Sequence, residues 1–147
     1  MDFVSDCLHD GRRFRALTIV DNVSRVSPAI EVGSSLTGYR VVEVLEGLAQ
    51  SQGLPKVIQV YNVLNHESST EFGKTSPFGR LRQECLDQSW FVSIEDAQQK
   101  IENWRIDYNE NRPHSSLKNS TPSAFLGIWK QNQQAEKLTE LLDPKMG

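Results

Sequence analysis

The sequence predicts one α/β domain in which helices flank a mixed β-sheet. Its 147 residues suit a single domain. The apolar run at residues 16–20 is typical of a strand that is buried on both faces. A second apolar run, at residues 57–60, follows an amphipathic helical pattern. Two strands that are joined through a helix lie parallel, so the sheet should contain both strand orientations.

Three short strands open the chain. Residues 3–8 partly alternate between apolar and polar, and His9-Asp10-Gly11 is a turn signal. The strongest strand follows at residues 14–20, before Asp21-Asn22 breaks the pattern. Residues 29–32 form a third short strand. These segments are close enough along the chain to form an antiparallel meander.

A crossover helix is expected next. Thr37 suits the helix N-cap, and Gly53 and Pro55 stop the helix in the usual order. The helix has an apolar stripe on one face, formed by Val41, Val44, Leu45 and Leu48. The crossover should place a fourth strand, residues 57–60, beside the first strand and in the same sheet as residues 16–20.

In the second half of the sequence, a segment without periodic apolar residues is followed by a clear helical pattern. Residues 61–79 have no period and predict a surface loop that is unusually long for a compact domain. Ser93 then caps a helix, with Asp96 in the place of the capping-box acid, and Pro113 ends it. One face of this helix should pack on the core, formed by Ile94, Ala97, Ile101, Trp104 and Tyr108. Residues 127–147 predict a weak helix or a frayed tail.

Composition excludes several classes of protein. No apolar run reaches the length of a membrane helix, and no basic segment followed by an apolar stretch suggests a secretory signal. Cys7 and Cys85 lie far apart, and the three histidines lack metal-ligand spacing, so a disulfide scaffold or a cysteine-rich zinc site is not expected. A reducing, cytoplasmic environment is the default expectation.

The charge balance is weakly acidic, with 16 basic and 19 acidic residues and a net charge of −3. A domain that holds DNA by itself usually carries a net positive charge or a basic stripe. Any nucleic-acid partner would therefore be held by a local patch, by a metal ion, or by a part of the protein outside this sequence.

Two places in the sequence could carry chemistry. Asp2, on the first strand, could be one ligand of a two-metal site for phosphoryl transfer, although a surface aspartate is the simpler interpretation. The end of the fourth strand supplies no second carboxylate, since Tyr61 stands there.

The other place is the segment DYNENRPHSSL, residues 107–117. There Tyr108 should pack, Asn109 should close the helix, and Arg112 and His114 could meet a phosphate. Helix capping with solvated charges is the alternative.

This segment, followed by TPSAF, resembles the C-terminal signature of bacterial insertion-sequence transposases, whose catalytic domain is related to retroviral integrase (the DDE superfamily). Four further segments resemble the same domain: MDFVSD, RRFRALTIVDNVSR, GLPKVIQVYN and GRLRQECLD. The likeness extends over residues 1–126, as a catalytic-core-like domain that is disrupted at about 61–79, and leaves residues 127–147 as a tail.

The resemblance implies an RNase H-like fold, a triad of two aspartates and a glutamate that binds magnesium or manganese, and strand transfer at transposon-end DNA. Asp2 matches the first aspartate. Tyr61 stands at the second position, and Thr75, four residues before Gly79, stands at the third. The stretch between them is too short for the family's edge strand and all of its catalytic helix.

The expected protein is therefore an internally deleted catalytic domain that has lost strand transfer. It should bind DNA at most weakly, and neither magnesium nor manganese should be functionally bound. DNA contacts are expected at Arg80, Arg82, Arg112 and His114. Two alternatives stay open. One is an active nuclease or transposase in which Glu67 or Glu71 replaces a lost ligand. The other is a non-catalytic module that pairs with an intact transposase.

Overall fold

A three-stranded antiparallel sheet in the order β1-β2-β3 forms the base of the fold in the computed structural model, which describes residues 1–61 and 77–142. The strands are β1 (Asp2–Cys7), β2 (Arg13–Ile19) and β3 (Ala29–Gly33). Asp2 pairs with Thr18 at one end of the β1–β2 ladder. The predicted meander is confirmed, with strand ends that differ from the prediction by at most one residue.

Helix α1 (Gly38–Gln52) follows the meander and has the predicted ends. The Thr37 hydroxyl accepts a hydrogen bond from the main-chain N–H of Arg40 at 3.3 Å. At the other end, Gly53 adopts a φ of 88°, which glycine reaches without the steric cost of a Cβ atom. None of the residues of α1 is fully buried, so its apolar stripe is only partly covered.

The prediction of a fourth strand at residues 57–60 is wrong, although the chain does meet β1 at the next residue, Tyr61. These residues form no strand, but Tyr61 makes a parallel bridge with Asp2 beside β1. The main chain of Met1 donates to the carbonyl of Gln59 at 2.6 Å and accepts from the N–H of Tyr61 at 3.0 Å. Residues 54–60 are exposed, and a strand of the parallel type depends on helices that cover both of its faces.

The first helix described after the gap begins at Pro77, inside the segment 61–79 that was predicted to be a loop. Helix α2 (Pro77–Leu81) continues directly into a π-helical turn, Arg82–Leu86. Helix α3 (Ile94–Asn111) then begins after Ser93, whose hydroxyl accepts from the N–H of Asp96 at 3.1 Å. The predicted break extends over about 61–79, and its residues 62–76 lie outside the described residues, together with the predictions of a missing edge strand and a shortened catalytic helix.

Helix α3 provides most of the helical side of the core. It packs against β3 and the π-helical turn, and the predicted stripe faces inward. Phe14 and Phe91 meet edge to face within the same cluster, with ring centroids 5.4 Å apart. The other members come from the sheet and the turn after β1, from α2 and the π-helical turn, and from α3: Leu8, Ala16, Val32, Leu81, Cys85, Leu86, Ala97, Ile101, Trp104 and Tyr108.

The chain ends in a long helix. After a short 3₁₀ turn at Ser115–Leu117, helix α4 extends from Pro122 to Leu142 and contacts α3. The sequence predicted either a weak helix or a frayed tail for the C-terminal segment. Residues 127–142 are helical and continue α4 without a break. No helix of the described part of the chain is both long and apolar enough to cross a membrane.

We expect Trp104→Ala to lower the free energy of unfolding by about 3–5 kcal/mol, the usual cost of truncating a buried tryptophan. The Trp104 side chain is 8% exposed, stacks on Tyr108 at 5.2 Å and donates from Nε1 to Glu84 at 3.0 Å. The matched control is Trp90→Ala, since Trp90 is 71% exposed. Urea unfolding measures both variants, and equal losses would show that the α3 face is not the core.

Candidate functional site

Asp2 lies buried at one end of the sheet, with 3% of its surface exposed. Its carboxylate oxygen Oδ1 accepts a hydrogen bond from the main-chain N–H of Phe3 at 2.7 Å. Its main-chain carbonyl accepts from the hydroxyl of Thr18, the facing residue on β2, at 3.1 Å. The first strand therefore places the predicted metal ligand inside the fold rather than on its surface.

Tyr61 and the positively charged N-terminus of Met1 both lie near Asp2. Tyr61 is bridged to Asp2 in parallel, so the residue that the sequence placed at the second ligand position does lie beside the first. Its hydroxyl and the amide of Asn22 both meet Gln59 Oε1, each at 3.1 Å. These contacts form a polar rim of amide and phenol groups around the end of β1.

Burial raises the pKa of the Asp2 carboxyl, and the hydrogen bond from Phe3 only partly opposes this effect. Burial therefore disfavours the ionised form of the carboxyl, which is the form that binds metal ions. The described residues contain no group of three or more histidine, cysteine or acidic side chains that could hold a metal ion. A two-metal centre needs several convergent carboxylates, so the described residues around Asp2 do not fit one.

The segment at residues 107–117 mainly forms internal contacts. Asn109 does not close α3, which extends to Asn111. Instead, its amide forms two hydrogen bonds with the main chain of Ser27: Oδ1 accepts from the N–H at 2.8 Å and Nδ2 donates to the carbonyl at 2.9 Å. Arg105, one turn earlier, also donates to the Ser27 carbonyl at 2.8 Å. The end of α3 is thereby attached to the connection between β2 and β3.

Arg112 belongs to a second internal network. Its guanidinium pairs with Glu84 at 2.5 Å and with Asp107 at 3.1 Å. The other carboxylate oxygen of Glu84 accepts from the indole N–H of Trp104. Glu84 therefore connects the π-helical turn to α3, and the predicted phosphate contact at Arg112 already has two carboxylate partners.

Tyr108 and His114 are buried side by side, with their rings edge to face and their centroids 5.1 Å apart. Burial raises the pKa of Tyr108 to about 12, against the opposing positive charges of Arg80 and Arg25. Burial also lowers the pKa of His114, and the same two arginines lower it further. His114 is therefore neutral at pH 7.

The remaining predicted DNA contacts differ in their surroundings. Arg82 donates to the carbonyl of Ser5 at 2.5 Å and lies 3.6 Å from Asp6, so it attaches the π-helical turn to β1. Arg80 is half-buried and forms no ion pair with any residue in the ranges 1–61 and 77–142. Arg25 was missed by the sequence analysis. Its position near His114 depends on the fold, and no motif around it marks it.

Comparison with known proteins identifies relatives among bacterial insertion elements. A family model described as an integrase core domain matches residues 75–122. The insertion element IS407 uncharacterized 31.7 kDa protein of Burkholderia multivorans is 31% identical, over 85% of this chain and 53% of that protein. The insertion element IS476 uncharacterized 39.2 kDa protein of Xanthomonas euvesicatoria is also 31% identical, over 90% of this chain and 45% of that protein. No solved structure matches the chain.

These matches confirm the resemblance to insertion-sequence transposases with an integrase-type domain. The chain spans about half the length of these curated relatives. An integrase core domain implies an RNase H-like fold, and the α/β architecture with its opening antiparallel meander agrees with that class.

We expect Asp2→Asn to stabilise the protein relative to wild type increasingly as pH rises. The raised pKa means that folding favours the protonated carboxyl, so the stability that Asp2 contributes is present below its unfolded pKa of about 3.9 and is lost as pH rises through the folded pKa. Asparagine cannot ionise and retains an oxygen that can accept from Phe3.

Urea midpoints at several pH values between about 3 and 7 measure this difference. Asp87→Asn is the control, since Asp87 is an exposed carboxylate on the π-helical side of the molecule. A difference between Asp2→Asn and wild type that stays constant with pH would show that Asp2 is not destabilised by burial.

Proposed function

We propose that this chain is a remnant of an insertion-sequence transposase catalytic domain that has lost strand transfer. The parallel bridge between Asp2 and Tyr61 is the observation that carries this proposal. The resemblance assigns a second metal-binding carboxylate to the position of Tyr61. A phenol there is neutral at pH 7, because its unperturbed pKa is about 10.

The loss of ligands has a direct chemical consequence. Two divalent ions that activate one oxygen and stabilise another need carboxylates from several positions, and Asp2 alone cannot supply them. The third position, Thr75, offers only a hydroxyl, and it lies outside the described residues together with Glu67 and Glu71. Magnesium or manganese serves the family, and we propose that neither is functionally bound here.

Weak contact with DNA, in particular with transposon ends, remains part of the proposal. Of the four candidate contacts, Arg80 has no described carboxylate partner, whereas Arg82 and Arg112 are ion-paired within the fold. His114 lies close enough to Arg80 for its pKa to respond to that charge. A net charge of −3 disfavours strong binding by the chain alone.

A second candidate function is pairing with an intact transposase copy. The segment at 54–60 is the observation that favours it, since its apolar side chains are exposed: Leu54 86%, Val57 75%, Ile58 48% and Val60 59%. Contiguous exposed apolar surface is typical of interaction sites. Co-purification with an intact relative distinguishes this function from an unpaired remnant.

We expect the wild-type chain not to cleave or join labelled transposon-end DNA with either magnesium or manganese, because one carboxylate cannot position two ions. An insertion-sequence transposase of demonstrated activity, with its own end DNA, serves as the positive reference. Cleavage by the wild type that Asp2→Asn abolishes would show a surviving active site and would contradict the proposal.

We also expect Tyr61→Asp to increase manganese affinity by about tenfold or more, since it places a second carboxylate beside Asp2 and each added charge-assisted ligand contributes more than 1 kcal/mol. Calorimetric titration measures this change. Val57→Asp adds the same charge on an exposed position of the same segment and should have little effect. Equal affinities of the two variants would refute the assignment of residue 61 to the second ligand position.

A further inference from the structure

The chain just before Tyr61 continues the sheet beside β1. The N-terminus of Met1 donates to the carbonyl of Gln59 at 2.6 Å, and the carbonyl of Met1 accepts from the N–H of Tyr61 at 3.0 Å. Together with the parallel bridge between Asp2 and Tyr61, these bonds have the pattern of a parallel ladder. Gln59 and Tyr61 therefore direct their main-chain groups towards β1.

The main-chain groups of Ile58 and Val60 are directed away from β1. In extended chain, the N–H and C=O groups of successive residues point to alternate sides. Val60 lies between Gln59 and Tyr61 and so presents its groups outward, and Ile58 does the same two residues earlier. Neither Ile58 nor Val60 forms a main-chain hydrogen bond within the part of the chain that the structure describes. An outward row of such groups is a template for another strand.

The side chains of this segment suit a β-strand, although they lie in solvent. Val57 is 75% exposed, Ile58 48% and Val60 59%. Alternation along the chain places Ile58 and Val60 on one face and Val57, Gln59 and Tyr61 on the other. The hydrogen bond between the Tyr61 hydroxyl and Gln59 Oε1, at 3.1 Å, agrees with this arrangement. None of these five residues is charged, so two such segments can approach without repulsion.

We propose that residues 57–61 pair edge to edge with the same residues of a second copy of this chain, antiparallel and about a two-fold axis at Gln59. In this register Ile58 lies opposite the partner's Val60, and the two residues exchange both of their main-chain hydrogen bonds. The axis repeats this pair on its other side. Gln59 faces the partner's Gln59, and Val57 faces the partner's Tyr61, an aromatic and β-branched pair of the kind that stabilises sheets.

A second copy is the partner that fits because the segment is complementary to itself. Each outward donor meets an outward acceptor of the other copy, and the side chains of Ile58 and Val60 from both copies form one apolar patch across the axis. The proposal goes beyond the second candidate function, since its partner is this same chain. It rests on that function only in treating residues 54–60 as an interaction surface, and it does not depend on the loss of strand transfer.

Sedimentation equilibrium of the full chain tests the pairing. We expect the wild type to form dimers in a concentration-dependent manner. Gln59→Lys and Gln59→Glu should each raise the dissociation constant of the dimer by about tenfold or more, since two like charges then meet at the axis. An equimolar mixture of the two variants should associate at least as tightly as the wild type, because opposite charges then face each other.

Leu54→Lys and Leu54→Glu are the matched controls, since Leu54 is 86% exposed and belongs to the same segment but not to the paired residues. These two variants should change the dissociation constant little, alone or mixed. Equal weakening by the Leu54 and Gln59 variants, without recovery in either mixture, would show a non-directional apolar contact and would overturn the proposal. A wild type that stays monomeric at its highest soluble concentration would also overturn it, whereas the cleavage test of the proposed function would be unaffected.

Gln59→Cys in a Cys7→Ser background tests the register. Cys7 is the exposed thiol of the wild type and Cys85 is buried, so the background removes the competing reactive group. Facing residues that do not share hydrogen bonds have Cα atoms about 4.5 Å apart, which is within the range of a disulfide. Oxidised glutathione should therefore link two copies at position 59 about tenfold faster than it links Leu54→Cys in the same background. Equal rates would refute an axis at Gln59.

Discussion

The two hydrogen bonds between the Asn109 amide and the Ser27 main chain hold the two halves of the fold together. Both residues are buried, and they lie 82 positions apart in the sequence. A primary amide can accept and donate at once, so one side chain satisfies both main-chain groups of a residue that the sheet does not pair. This contact fixes the loop after β2 relative to α3, and it thereby determines where Tyr108 and Arg25 stand.

The contacts of the DYNENRPHSSL segment explain how this signature can be retained in a chain whose triad we propose to be incomplete. Asn109 secures the sheet connection, Arg112 is paired with Glu84, and Tyr108 and His114 are buried against each other. These roles are architectural, and none of them requires a metal ion. The segment therefore indicates the fold directly, and it indicates catalysis only together with the carboxylates at the sheet.

Features that depend on residues close together in the sequence were predicted correctly, whereas features that depend on distant residues were not. Helix α3 was predictable because Ser93 and the spacing of its apolar stripe act within a few residues. The strand at residues 57–60 was not, because local apolarity does not reveal whether helices will cover both faces, and here they do not. The pairing of Asn109 with Ser27 and the approach of Arg25 to His114 join distant segments, so no spacing in the sequence indicates them.

Metal-dependent catalysis and the proposed contact with DNA would depend on different side chains. The first requires acidic residues that converge on Asp2, and the position beside it holds Tyr61. The second requires only positive charge and donors, and Arg25 and Arg80 belong to a loop and a helix that Asn109 and Glu84 position independently of Asp2. Burial raises the pKa of the Asp2 carboxyl, whereas nothing about the positions of the two arginines depends on that carboxyl. The proposed loss of strand transfer is therefore compatible with the weak DNA contact that we propose.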